Sequence, residues 1–264
     1  MTEYVFDTGS DNGRIQVTHL SEMYDLATQE VLERTGVSGS RRCLEIGAGN
    51  GSVAALLAGQ IAPGGSVLAT DIETSYIEPS DAVTTVRHDL NEGVPAGGPF
   101  DLIHARLVLM HLSRRHELLA MLADALEPGG WLVVGDLGEH LPRTLDAPSV
   151  EDAELVDRVI RVGMSELAPQ VGMSSSWAED LGNTMRSVGL SDVDTKRISQ
   201  SCAGGTSGCF VMRSYVHQLE APLRSLGVTV DELARFANLM SDPRVRISFF
   251  ELIYASGRKA ESTS

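Results

Sequence analysis

The amino-acid sequence predicts an α/β fold built on a mostly parallel sheet. Short apolar runs alternate with segments of helical periodicity between about residues 41 and 136. The first run ends at Ile46 and leads directly into a glycine-rich turn, and Pro63–Gly65 and Pro128–Gly130 mark turns before two later runs. Because strands that alternate with helices pair in parallel through right-handed crossovers, we expect a doubly wound sheet. Ligands bind such sheets at the carboxyl ends of the strands.

The core elements follow from these runs and turns. An N-terminal extension precedes the core, with a loop over Thr2–Gly13 and a helix over His19–Arg34. Within the core we expect strands near 41–46, 66–70, 83–87, 100–105 and 131–136, and helices near 51–60 and 114–126, with a short helix after Asp71.

The pattern changes after Asp136. A loop over Pro142–Ser149 is expected, followed by further helices, a strand and a final apolar strand. The expected positions are helices at 150–167, 177–188, 209–225 and 229–240, a strand near 192–199 and a last strand over Val245–Tyr254.

Six segments follow from this organisation. They are an N-terminal helical extension or lid (1–37), a cofactor-binding core (38–136), a helical cap insertion (137–172), a return to the core (173–203), a second helical cap insertion (204–242) and the last strand with its tail (243–264). We expect the two insertions to lie over the ligand-binding edge and to shape a second binding pocket.

Composition narrows the classes of function. A chain of 264 residues with 42% apolar residues can bury a sizeable core, and its net charge of −15 argues against nucleic acid as a partner. Cys43, Cys202 and Cys209 fit neither a disulfide framework nor a zinc site. No signal peptide or membrane span is expected, so we predict a soluble cytoplasmic protein.

The turn after the first strand predicts a nucleotide-like ligand. Gly47, Gly49 and Gly51 allow unusual backbone angles and a close approach of the main chain to a ligand. The following helix directs unpaired N–H groups towards the same place. Asp71 comes about twenty residues after the turn, where a second strand delivers an acid to a ribose.

Two cofactors compete at this turn. The dinucleotide fingerprint is G-x-G-x-x-G, whereas here Gly47, Gly49 and Gly51 occupy alternate positions. Glu45 lies two residues before the first glycine, and a carboxylate there repels a pyrophosphate but attracts an amino group. The residues therefore favour a cofactor that carries an amine over NAD.

Five blocks in order resemble the class I S-adenosylmethionine-dependent methyltransferases. They are Leu44–Ser52, Val67–Ile72, Val86–Leu90, Phe100–Leu112 and Leu126–Val134. The similarity is nearest in character to bacterial enzymes that act on small molecules. It implies a Rossmann-like sheet of seven strands, mostly parallel with an antiparallel last strand, and S-adenosyl-L-methionine as cofactor, with S-adenosyl-L-homocysteine as product.

The resemblance also implies the cofactor-binding residues. Glu45 would hold the amino group of the methionine portion, directly or through water, and Asp71 would accept hydrogen bonds from both ribose hydroxyls. Arg106 would pair with the cofactor carboxylate or, alternatively, with Asp101. The remaining members are Gly47, Ala48, Gly49 and Gly51 in the turn, and Ile72, Asp89 and Leu90 around the adenine.

His111 is the candidate catalytic base, because it follows the fourth strand and histidine titrates near neutrality. A positioning role is the alternative. Asp136 could orient His111 or contact the acceptor, and His140 and Trp177 are candidate acceptor-binding residues in addition to His111. Packing is the alternative for Trp177. No metal-ligand cluster is evident.

The leading hypothesis is a methyltransferase that moves a methyl group to O, N or C of a small organic acceptor, such as a secondary metabolite. An alternative keeps the cofactor but catalyses a cyclisation or rearrangement without methyl transfer. A nicotinamide-dependent oxidoreductase is disfavoured by the turn, and a non-enzymatic binding protein is a further class. The expected partner is a small molecule, not nucleic acid or membrane, and the apolar helices near 209–240 fit either a homodimer interface or a packed cap.

Overall fold

A computed structural model describes residue 6 and residues 9–78 and 80–261. Two compact units are distinguished by their internal contacts. One, here called the large-sheet unit, comprises Tyr24–Gly138, Ser175–Ile198 and the chain from Leu252 onwards. The other, called the small-sheet unit, comprises the chain up to Met23, Glu139–Ser174 and Ser199–Glu251. The predicted division into six segments stays a prediction.

The strands and helices are numbered in chain order. The strands are β1 (Arg42–Ile46), β2 (Ser66–Asp71), β3 (Val83–Arg87), β4 (Phe100–Arg106), β5 (Leu126–Leu137), β6 (Thr144–Asp146), β7 (Ser191–Ile198), β8 (Ser201–Ala203), β9 (Arg246–Ser248) and β10 (Leu252–Arg258). The helices are α1 (Asp11–Arg34), α2 (Ser52–Gln60), α3 (Arg115–Asp124), α4 (Val150–Arg161), α5 (Ala168–Gln170), α6 (Ser176–Glu179), α7 (Leu181–Ser187), α8 (Ser207–Gln218), α9 (Glu220–Ser225) and α10 (Val230–Leu239).

The large sheet has seven strands in the order β3-β2-β1-β4-β5-β10-β7. Strands β1 to β5 pair in parallel, and β10 runs antiparallel to both of its neighbours. This topology confirms the predicted fold class, including the antiparallel last strand. The carboxyl ends of β1, β2, β4 and β5 therefore lie along one edge of the sheet.

The interior of the large sheet explains its near-continuous apolar strands. Leu44 and Ile46 on β1 are buried, and so are Leu102 and Ile103 on β4. Strands of a parallel sheet are covered on both faces, so successive residues are apolar rather than alternating. Cys43 is also buried, which raises the pKa of its thiol to about 12 and leaves it as a small core residue.

The small-sheet unit contains a second sheet that the sequence analysis did not predict. Its strands follow the order β6-β9-β8, and both pairs are antiparallel. Arg235 pairs with Asp152, which links α10 to α4 within this unit. Thr229 and Glu232 form a capping box at the start of α10.

Several predicted boundaries are wrong. The apolar run Val245–Tyr254 is not one strand but β9 in the small sheet and β10 in the large sheet, with buried Phe249 and Phe250 between them. The run is continuous because the connecting residues are buried as well, so hydrophobicity alone does not reveal the break.

The remaining differences concern element ends. No helix follows Asp71, where the described residues form bends and turns. Helix α1 begins at Asp11, within the predicted loop Thr2–Gly13, half of which lies outside the described residues. Strand β5 begins at Leu126, which places Pro128–Gly130 inside the strand rather than before it.

Neither a membrane-spanning helix nor a metal-binding cluster occurs among the described residues. No helix there combines the length and apolar character needed to cross a bilayer. No group of three or more His, Cys, Asp or Glu side chains in that part of the chain is arranged to hold a metal ion.

Candidate active site

The glycine turn links β1 to α2 in a conformation that favours glycine. Gly47, Gly49 and Gly51 have φ values of 66°, 57° and 81°. A Cβ atom on Gly47 would lie 2.2 Å from Cγ2 of Val108, and one on Gly51 would lie 2.9 Å from Cγ2 of Ile77. Both backbone angles and space therefore require glycine at these positions, and α2 begins immediately afterwards at Ser52.

Asp71 fixes the turn to the end of β2. Its Oδ2 atom accepts from Gly49 N at 2.8 Å, and its Oδ1 atom accepts from Glu73 N at 3.0 Å. Partial burial raises the pKa of Asp71, and these backbone donors counteract that rise. Since each carboxylate oxygen can accept more than one hydrogen bond, both oxygens retain capacity for a pair of hydroxyl groups.

The residues predicted to contact an adenine follow β2 and β3. Ile72 is 38% exposed, which leaves an apolar surface beside Asp71. Asp89 starts a short 3₁₀ helix and its Oδ1 atom accepts from Asn91 N at 2.9 Å, while Leu90 is buried. These positions are compatible with the predicted contacts, which stay predictions.

Glu45 lies deep in the sheet rather than at a solvated strand end. It is 1% exposed, and its Oε2 atom lies 2.6 Å from Nδ1 of His104, which is fully buried on β4. Burial raises the pKa of Glu45, and the electrostatic attraction and hydrogen bond of His104 oppose this rise. The carboxylate thus has a partner inside the protein before any ligand is considered.

Arg106 pairs with α1 and not with Asp101. Its Nη1 atom donates to Oδ1 of Asp25 at 2.9 Å and to Oγ1 of Thr28 at 2.7 Å. Asp101 instead accepts from Arg41 N and Arg42 N. The predicted alternative of an Arg106–Asp101 pair is therefore wrong.

Asp25 also reaches the start of α2. Its Oδ1 atom accepts from the hydroxyl of Ser52 at 3.2 Å, directly after the glycine turn. The second half of α1, together with the guanidinium of Arg106, therefore forms part of the same site as the turn.

A second buried acid, Asp136, lies at the end of β5. Its Oδ2 atom accepts from Trp177 Nε1 at 2.9 Å and from Met110 N at 3.2 Å, whereas Oδ1 is buried and has no hydrogen-bond partner among the described residues. Burial raises the pKa of Asp136 to about 7. These contacts fix Trp177 and the segment after β4, and the orientation of His111 by Asp136 stays a prediction.

His111 ends a 3₁₀ helix, Leu109–His111, which follows β4. Desolvation, together with the positive charge of Arg115, lowers the pKa of His111 to about 4. The ring is therefore neutral at pH 7, but it is a weaker base than an ordinary histidine. The lowered pKa favours the positioning role over the predicted base role, and both roles stay predictions.

The other two predicted acceptor contacts differ in their surroundings. Trp177 is 4% exposed and stacks edge-to-face on His116, with ring centroids 4.8 Å apart. Packing and its bond to Asp136 thus account for Trp177. His140 is exposed and belongs to the small-sheet unit. Acceptor binding by either residue stays a prediction.

Four members of the site were not found from the sequence. Asp25 and Thr28 come from α1, His104 comes from β4, and Tyr254 comes from β10, where its hydroxyl lies 2.7 Å from Oγ1 of Thr28. The only signal was the spacing of Asp25 and Thr28, which places them on one face of a helix. No local pattern links a residue near the C-terminus to this site.

Comparison with known proteins identifies the family. The profile of a methyltransferase domain matches residues 18–194, about two thirds of the chain. Str2, a methyltransferase of Strobilurus tenacellus, is 36% identical over 99 residues, which are 37% of this chain and 36% of that protein. The chain belongs to the methyltransferase-domain family, and the resemblance noted in the sequence is confirmed. The chain spans about a third of the length of the first curated relatives it matches.

Solved structures share the fold. Phosphoethanolamine N-methyltransferase 2 of Haemonchus contortus, in complex with S-adenosyl-L-methionine, aligns with a TM-score of 0.53 at 15% identity, over 88% of this chain and 52% of that one. The [4+2]-cyclase SpnF aligns with a TM-score of 0.53 at 18% identity, over 90% and 81%. At these identities the likeness concerns the fold alone.

Proposed function

We propose that this protein binds S-adenosyl-L-methionine and transfers its methyl group to O, N or C of a small organic acceptor. The observation that carries the proposal is the direct bond from Gly49 N to Asp71, which places a carboxylate against a turn whose three glycines all have positive φ. Membership of the methyltransferase-domain family and the fold of a neighbour bound to this cofactor support it.

The donor set fits the chemistry of this cofactor. Asp71 supplies acceptors for the two ribose hydroxyls, and exposed Ile72 supplies an apolar surface for the adenine. Asp89 and the N–H of Leu90 would contact the polar edge of the base. Glu45 would accept from the amino group, and Arg106 would face the carboxylate.

The chemistry requires little from the protein beyond placement. The cofactor, when bound, supplies a methyl group on a positively charged sulfur, which is already activated towards nucleophiles. Holding an acceptor in line with that group then provides most of the rate enhancement. The weak basicity of His111 is compatible with this requirement, and we propose that His111 and Trp177 contact the acceptor.

Binding of the cofactor is the first test. Calorimetric titration with S-adenosyl-L-methionine and S-adenosyl-L-homocysteine should show binding to the wild-type protein. Asp71→Asn should weaken it roughly 10- to 100-fold, because an amide cannot accept at both positions. Asp81→Asn, at an exposed aspartate outside the proposed site, is the matched control. Equal affinities in wild type and Asp71→Asn would remove the basis of the proposal.

Methyl transfer is the second test. Protein incubated with cofactor labelled in the methyl group and with small alcohols, phenols, amines and activated carbon acids should yield a labelled product and an equal amount of S-adenosyl-L-homocysteine. Product that forms without this by-product would instead support a cyclisation or rearrangement. The fold shared with a [4+2]-cyclase and the absence of a strong base at His111 favour that reaction as the second candidate.

A further inference from the structure

A continuous chain of buried hydrogen bonds connects Glu45 to the last strand of the sheet. His104 and Thr28 have no exposed surface, and Glu45 and Tyr254 are each 1% exposed. The chain runs from Glu45 through His104, Tyr254 and Thr28 to Arg106. All of these residues belong to the large-sheet unit, so the hydrogen bonds lie within one compact unit.

Thr28 determines the direction of the bonds. Its hydroxyl proton is donated to the carbonyl oxygen of Tyr24 at 2.9 Å. Oγ1 of Thr28 can therefore only accept, and it receives Arg106 Nη1 at 2.7 Å and the hydroxyl of Tyr254 at 2.7 Å. It follows that Tyr254 donates its single proton to Thr28.

The direction of these bonds places a proton on the nitrogen of His104 that faces Tyr254. The Tyr254 oxygen lies 3.5 Å from Nε2 of His104 and can only accept, because its proton is already used. The 2.6 Å contact from Nδ1 of His104 to Glu45 needs a proton as well. His104 and Glu45 together therefore hold both protons, and the pair has no net charge wherever the shared proton lies.

The electrostatic surroundings agree with a neutral pair. The groups that act on Glu45 besides His104 are Arg106 and Asp25, which form their own ion pair at 2.9 Å. The negative charge of Glu45 also acts on Tyr254 and Cys43. The pKa of each of these groups is raised to about 12, so both stay neutral. Loss of the shared proton would leave a buried negative charge without compensation, which is costly.

We propose that His104 is the positioning residue for Glu45, and that the pair releases its shared proton to solvent when the cofactor's amino group binds. The incoming ammonium keeps its own protons and replaces the lost positive charge. Glu45 then remains an ionised acceptor, His104 remains neutral, and the buffer takes up the released proton. No other bond forms or breaks. This inference rests on the proposed function, since it requires an amine at Glu45.

Proton release is measured by titrating wild-type protein with S-adenosyl-L-homocysteine at one pH in buffers with different enthalpies of ionisation. The apparent binding enthalpy should vary with the buffer and give about one proton released for each ligand bound. 5′-Methylthioadenosine, which lacks both the amino and the carboxylate group, should bind without release. Equal proton numbers for the two ligands would overturn the inference.

Variants separate positioning from simple packing. Tyr254→Phe removes the acceptor for Nε2 of His104, so the proton number should fall below half of the wild-type value while the protein stays folded. Tyr215→Phe in the small-sheet unit is the matched control and should leave it unchanged. His104→Asn should weaken binding of S-adenosyl-L-homocysteine roughly 10- to 100-fold, because Glu45 loses its partner.

The outcomes distinguish this inference from the proposed function. Failure of folded wild-type protein to bind S-adenosyl-L-homocysteine would contradict the proposed function. Binding without proton release, with the same value in Tyr254→Phe, would contradict only the role of His104. If Tyr254→Phe does not fold, the comparison of the two ligands on wild-type protein decides the question alone.

Discussion

Two buried acids lie near the ligand-binding edge of the large sheet, and their hydrogen-bond partners differ in kind. Glu45 on β1 meets a second ionisable group, His104, at 2.6 Å. Asp136 on β5 is held by neutral donors, Trp177 Nε1 and Met110 N, and its Oδ1 atom has no hydrogen-bond partner in the part of the chain that the structure describes. Both carboxyls have raised pKa values because of burial.

The difference indicates two kinds of task. A carboxylate with an ionisable partner can exchange a proton when a cation arrives, which suits the cofactor side of the site. A carboxyl held by neutral donors shapes its surroundings instead: Asp136 fixes Trp177 and the segment that leads to His111. The two acids therefore differ in the chemistry of the partners that hold them.

The largest expected effect is the pH dependence of stability contributed by Asp136. Its pKa is about 7 in the folded protein, above its ordinary value, so the folded state binds more protons between pH 4 and pH 7. The free energy of unfolding should therefore decrease as pH rises through this range, by at most ~4 kcal/mol from this group.

Asp136→Asn tests this expectation because it removes the titration. The free energy of unfolding of the variant and of the wild type is measured with denaturant at several pH values. The difference, variant minus wild type, should increase from pH 4 to pH 7. Asp124→Asn, at an exposed aspartate in α3, is the control. A difference for Asp136→Asn that is independent of pH would show that the carboxyl is ionised throughout.

Removing the partner of Glu45 should have the next largest effect. His104→Ala leaves a buried acid without its ionisable neighbour, and loss of one member of a buried pair costs about 3 kcal/mol or more. Urea unfolding at pH 7 measures this cost. Since Glu45→Gln on the same background removes the stranded acid, the double variant should recover part of the stability. No recovery would indicate that the cost is packing alone.

Trp177→Phe should have a smaller effect, because it removes one hydrogen bond and little apolar surface. We expect a loss of about 1–2 kcal/mol in the free energy of unfolding. The indole N–H lowers the pKa of Asp136 because it stabilises the ionised carboxylate. The variant should therefore lose more of its free energy of unfolding at pH 8, where the carboxylate is ionised, than at pH 5. Trp131→Phe, on β5, is a matched control. An equal loss at both pH values would contradict the role of this bond.

The smallest effect is expected for His111→Gln on cofactor binding. His111 follows β4 on the proposed acceptor side, so affinity for S-adenosyl-L-homocysteine should stay within about twofold of wild type. Calorimetry that shows a much larger loss would place His111 on the cofactor side and remove the distinction between the two regions.

The first half of the large-sheet unit was predictable because its signals are local. Strands β1 to β4 coincide with the segments predicted as strands, and the turn at Gly47–Gly51 is recognised from consecutive residues. The three-residue strands β6 and β8 were missed, because so short a segment has no measurable period. The run Val245–Tyr254 was wrongly predicted as one strand, because the residues that connect β9 to β10 are buried and apolar as well.

The site also contains residues that could be predicted from local sequence and residues that could not. Asp71 and Glu45 were predicted from their spacing to the glycine turn, and the structure places both next to it. The partners that determine their charge could not be predicted, since His104 and Tyr254 are brought to Glu45 only by strand pairing. Sequence spacing thus indicates the ligand, whereas tertiary structure determines protonation.

Gly135 on β5 has a consequence for how this family varies over time. A Cβ atom there would lie 2.4 Å from the ring of Tyr254, the residue that joins β10 to the buried hydrogen bonds. Any lineage that keeps the aromatic ring at position 254 should therefore keep glycine at 135, and a lineage that acquires a side chain at 135 should carry a smaller residue at 254. The two positions, which are distant along the chain, should be inherited as a pair.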